Sequence, residues 1–249
     1  MPIPALATDD LINDLNAIRK KGHLLMENLL VARLRKRIDA YKNIDIVEYW
    51  LYLSSLYCLT GDVENTIYAG ATGLKLTTEP HWHLHHVKTL LKLGKFSLAR
   101  ELMDEVPDYH FLESDPYECY CLFQALDFQR FNRLAHEKAE IMLSPAVRLS
   151  EAIQNILARN EVQEQQLLGM IDLAGDLLRE RKLIAASTSE IHPYLSDGTI
   201  TVNLPIVATP SEVADLDWEY AERLFSMMPD APATIVHVGF SSVPKVVNV

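Results

Sequence analysis

The stretch HWHLHH, His81 to His86 behind Pro80, holds four of the nine histidines in the chain. Imidazoles at this density can ligate a metal, titrate near neutrality or fill apolar slots. On a helix, His81 and His85 share one face, Trp82 and His86 another, and His83 points elsewhere. A histidine pair four residues apart holds zinc only with a third or fourth ligand. The glutamate of an HExxH motif is missing, because Trp82, His83 and Leu84 fill the interval. Cys58, Cys119 and Cys121 form no CxxC pair and no disulfide framework. The residues therefore assign no metal site and no cofactor, and packing is the favoured role for the cluster. A ligand-contacting or pH-sensitive role is the alternative.

A second set of acid–base groups lies near the C-terminus: Glu190, His192, Asp215, Asp217, Glu219 and His237. Asp215, Asp217 and Glu219 are spaced two apart, so on a helix they fan around the axis and read as surface charge. Ser187-Thr188-Ser189 is polar but has no base beside it. Gly-rich phosphate loops, GxSxG and HExxH are all absent. Binding is thus favoured over catalysis, and no catalytic residue is assigned.

Charge narrows the choice of partner. The net charge of −11 argues against a general affinity for nucleic-acid backbone. Between Arg19 and Lys42, however, eight Lys/Arg face two acidic residues. From Ile184 onward the balance reverses, with two Lys/Arg against eight Asp/Glu. The run Arg33, Arg35, Lys36 and Arg37 is a basic face, either solvated or a docking surface for an acidic peptide. The start, MPIPALATDD, lacks the basic and apolar regions of a signal peptide, and no window resembles a membrane span. A cytoplasmic, reduced protein is expected.

These groups sit on elements that the pattern outlines. Residues 9–183 read as helix after helix, with apolar residues at three-four spacing. Val47, Trp50, Leu51, Ser54 and Tyr57 mark one buried face. Gly61 ends that helix and Asp62 caps the next, while Pro80 opens a further one. Gly61 and Gly94 lie 33 residues apart, with Gly22 and Gln129-Arg130-Phe131 punctuating similar helix pairs on either side. Such a period is the signature of stacked helical hairpins. After Ile184 the pattern changes. Asp197-Gly198 signals a tight turn, Thr199 to Leu204 alternates as a strand, and Thr209 with Glu212 forms a capping box. Val213, Leu216, Tyr220, Leu224 and Met227 line one helix face, and Thr234 to Phe240 reads as a last strand. The expected organisation is a helical domain over 1–183 and a small α+β unit over 184–249, ordered hairpin, helix, strand. A unit this small needs a packing partner, either the helices or another copy of itself.

Trp50, Leu53, Tyr57 and Gly61-Asp62 resemble the tetratricopeptide pattern W-x-x-L-G-x-x-Y and its turn, with Ser54 where that family has a small glycine. Leu90, Gly94, Phe96 and Ala99 occupy the matching slots of the next unit. The resemblance spans residues 10–145, and its outer units depart from the pattern. It implies a mainly α fold, an α-solenoid of stacked hairpins, in which the first helix of each pair lines a concave groove. In that register His83 takes the slot of the family's Trp and His86 that of its Leu. The groove candidates are then Tyr49, Tyr52, His81 and His85, with Asn65, Lys88 and Lys92 as polar contacts. The implied function is an adaptor or scaffold that binds a peptide or helix of another protein. Homo-oligomerisation through the C-terminal unit is a further expectation, and nucleic acid is disfavoured. Two rivals remain: a dedicated secretion or assembly chaperone, and an enzyme or small-molecule sensor with its site between the helices and the C-terminal unit, using His192 and His237.

Overall fold

The computed structural model describes residues 5–138 and 144–244, so the first four residues of MPIPALATDD lie outside it. Local signals place the elements. The Asp45 carboxylate accepts from the Val47 and Glu48 amides (both 2.9 Å) and opens α3 (Ile46–Thr60). Gly61, at φ 74°, closes α3 in the left-handed region that a side chain would strain. Asp62 then caps α4 (Val63–Leu74) through the Asn65 amide. Pro80 opens α5 (Pro80–Leu93), Gly94 at φ 74° closes it, and α6 (Phe96–Asp104) follows. Before these come α1 (Ala5–Arg19) and α2 (Asn28–Asp39). After them come α7 (Asp108–Glu113), α8 (Pro116–Gln124), α9 (Phe128–Glu137), α10 (Pro145–Arg159) and α11 (Glu164–Glu180).

Helices pack as neighbours in sequence, α3 on α4, α5 on α6 and α9 on α10. The face expected on α3 is only part of its buried surface. Tyr49, Leu51 to Ser54, Leu56, Cys58 and Leu59 are all buried, while Trp50 and Tyr57 are half-buried. α3 is enclosed by α1, α2, α4 and α5, so apolar residues are needed nearly all round it.

The C-terminal part is β1 (Glu190–Tyr194), β2 (Thr199–Ile206), α12 (Pro210–Met227) and β3 (Val236–Ser242). β1 pairs antiparallel with β2, and β3 joins the other side of β2 in parallel, with α12 as the crossover. The Thr209–Glu212 capping box is present. β3 begins two residues later than the alternation predicts, because the Ile235 and Val236 amides close a turn on the Pro232 carbonyl (2.9 and 2.8 Å). Met227 is exposed where the helix face predicted burial, beyond the reach of the core that holds Leu216, Tyr220 and Leu224. One apolar core runs from Leu84 through α6–α11 into Ile191, Ile200, Val202 and Phe240. A second joins α1–α4 with Leu93 and Ile184. Apolar packing therefore crosses residue 183, where the chain changes from helix to strand.

The two ends of the helical array also meet. The Leu24 amide donates to the Lys182 carbonyl (2.9 Å) and the Ile184 amide to the Gly22 carbonyl (3.1 Å). Among the described residues, no helix is long and apolar enough to cross a membrane.

Candidate functional site

α5 carries two kinds of histidine. His86 faces α4 and is buried, with its Nδ1 3.4 Å from the Ser54 hydroxyl. Gly70 makes room for the ring: a Cβ there would lie 1.9 Å from His86 Cε1. Burial, with His83 adding to it, pushes the His86 imidazole down to about 4, so it is neutral and acts as a packing residue. His83, expected to point elsewhere, is half-buried on the same side, lining with His86 a cleft between α4, α5 and α6, 3.6 Å from Glu105.

The other face holds residues 81, 85, 88 and 92, a single stripe at helical spacing. His81 is exposed at its N-terminal end. His85, Thr89 and Lys92 line a cleft of about 200 Å³, closed by Tyr52 and Cys58 of α3 and by Asn16 and Arg19 of α1. Lys88 and Lys92 line a second cleft of about 430 Å³, whose far walls are Tyr117, Tyr120 and Gln124 of α8 and the segment Ala185–Ser189. The two clefts share Arg19 and Lys92. Arg19 is fixed in place by a bond from its guanidinium to the Ala186 carbonyl (3.3 Å).

The electrostatics of this junction are one-sided. Arg19, Lys88 and Lys92 converge, and no Asp or Glu is among the described residues lining either cleft. Burial lowers the Lys92 ammonium's pKa, and the Arg19 and Lys88 charges lower it further. Burial and then Lys92, His86, Lys88 and His81 hold His85 down to about 4. His85 Nδ1 and Arg19 Nε are buried without a hydrogen-bond partner among the described residues. Burial pushes the Cys121 thiol up, and the neighbouring Lys88 charge acts against that. Polar groups left this way are costly unless something else satisfies them.

The other candidates lie elsewhere. Tyr49 is buried beside Trp50, and its hydroxyl accepts from Arg35 at 3.3 Å. Asn65 is exposed at the start of α4, with its amide bonded to Asp62 (2.7 Å). On α2, Arg35 binds Asp39 (3.0 Å) and the Tyr57 hydroxyl (2.8 Å), and Arg37 pairs with Asp14. Arg33, Lys36 and Arg37 line a separate cleft against α1. In the C-terminal unit, the register places His192 and His237 on either side of Thr201, both exposed. Asp217 accepts from the Phe240 amide (3.0 Å), and Glu219 pairs with Arg181 and Arg223. None of these tail groups lines the clefts on α5. Among the described residues, no group of three or more His, Cys, Asp or Glu is placed to hold a metal ion.

Sequence reasoning missed the cleft roles of Arg19, Tyr117 and Tyr120, and noticed Ser187–Ser189 only as a polar stretch. The hydrogen bond that brings Arg19 to Ala186 spans 167 residues, a separation no local pattern reports. Comparisons with known proteins add no analogy, since no protein-family model, curated protein or solved structure matches this chain.

Proposed function

We propose that this protein is an adaptor whose helical hairpins, built on a tetratricopeptide-like plan, clasp an acidic segment of another protein. The single observation that carries this reading is the convergence of Arg19, Lys88 and Lys92 on clefts without a lining carboxylate. Cations that are held together and partly desolvated attract an anionic partner more strongly than exposed lysines do. The first helices of successive pairs, α3, α5 and α8, supply one side of the cleft region, as the resemblance implies. Tyr52, His85, Lys88 and Lys92 are the contacts on this surface. Asn65 and the α2 basic face lie outside this surface as solvated groups, and Tyr49 packs in the core. The division at residue 183, residence in the cytoplasm and self-association through the C-terminal sheet complete the reading.

The test is capture from the protein's own host, comparing wild type with Lys88→Glu/Lys92→Glu. A stoichiometric protein partner should be held by wild type and by Lys36→Glu, and its recovery should fall at least tenfold in the double variant. Equal recovery in all three would place the binding surface elsewhere. Raising salt should weaken capture, because screening acts on charged contacts at the rim.

A further inference from the structure

We infer that Arg19, Lys88 and Lys92 recognise a phosphoryl group, carried on a serine or threonine of the clasped segment. This rests on the adaptor reading above and names the chemistry of its anchor. All three cations line the larger cleft, with no lining carboxylate among the described residues. A single carboxylate contributes one negative charge and would leave most of that charge uncompensated. A phosphoserine contributes about −1.5 to −2 near neutral pH, with three strong acceptor oxygens.

The donors fit such a group. The Arg19 guanidinium, anchored on the Ala186 carbonyl, keeps a buried Nε without a partner among the described residues. Two ammonium groups one helical turn apart on α5 supply rotatable donors beside it. Ser187 and Ser189, on the opposite wall, add hydroxyls that bond either to phosphate oxygens or to the backbone of the segment. Charge-assisted bonds of this kind are stronger than neutral ones, and cationic clusters are a recurring way of reading phosphorylated motifs.

The full chain is to be passed over three immobilised degenerate peptide pools, identical except for phosphoserine, serine or glutamate at a fixed central position. Inorganic phosphate serves as competitor and, separately, as the ligand in a thermal-shift titration. The phosphoserine pool should be retained at least tenfold more than the other two and be displaced by phosphate. Retention should be lost in Lys88→Met/Lys92→Met and kept in Lys88→Arg. Circular dichroism of each variant confirms that it has folded, and Lys36→Met should behave as wild type. Equal retention of the phosphoserine and glutamate pools would overturn the phosphoryl assignment while leaving the adaptor reading intact. Stabilisation by phosphate without retention of any pool would overturn carriage on a segment, and with it the adaptor reading. No response to phosphate and no preference among the pools would also overturn the proposal.

Discussion

The turn between α5 and α6 and the cleft face of α5 both carry charged side chains, and they treat them in opposite ways. At the turn every charge has a partner. The Asp172 carboxylate accepts from the Phe96 and Ser97 amides, capping α6 from a distant helix. Lys95 pairs with Asp176 (2.7 Å), and Arg179 reaches both Asp176 and the Leu93 carbonyl at the end of α5. Gly94 and Gly175 let the two backbones touch beneath this network. On the cleft face, Arg19, Lys88 and Lys92 converge with no carboxylate lining the clefts among the described residues. Pairing within the chain marks a contact that holds the fold together. Charge left unpaired in a partly buried place weakens the fold unless a ligand completes it.

Substitutions should separate the two regions. The largest loss is expected at Gly175. A Cβ there would sit 2.3 Å from the Gly94 carbonyl oxygen, a backbone atom that cannot swing aside. Gly175→Ala should cost about 3 kcal/mol or more in urea unfolding. Asp172→Ala leaves two α6 amides without their acceptor, and should cost roughly 2 kcal/mol in the same assay. An intermediate effect belongs to the core histidine. His85 and His86 stay neutral in the fold down to about pH 4, whereas an unfolded imidazole takes up a proton near 6.5. Protons therefore favour the unfolded chain between these limits, and stability should fall as pH drops from about 6.5 to 4. His86→Leu removes one titrating ring and should reduce that acid loss by roughly 1–2 kcal/mol, measured as stability against pH. An unchanged acid slope would show that the ring is not held neutral.

What the sequence revealed and what it hid divide along the same line. Caps and breaks were legible because each is local: Gly61 with Asp62, Pro80, and Thr209 with Glu212 all act where the sequence places them. The shared face of His81 and His85 was legible from helical period, while Lys88 and Lys92 came as groove candidates only through the tetratricopeptide resemblance. Which way α3 turns its tyrosines was not. Tyr49 and Tyr52 are three apart on a helix buried nearly all round, and only the neighbouring helices decide that one meets Arg35 and the other the cleft. The docking of Gly94 on Gly175 and of Arg19 on Ala186 joins distant residues, and single small or basic residues carry no signal of such contacts.

The most direct test of the central claim needs no ligand. Urea unfolding of Lys88→Met/Lys92→Met, beside wild type at pH 7 and low salt, asks whether these ammonium groups support the fold. Methionine keeps most of the side-chain volume and removes charges that have no carboxylate facing them in the clefts. Stability should equal wild type or exceed it by up to about 1 kcal/mol. A loss of about 2 kcal/mol or more would contradict the claim, showing that the lysines are held by partners within the chain and are not kept for an anion from outside.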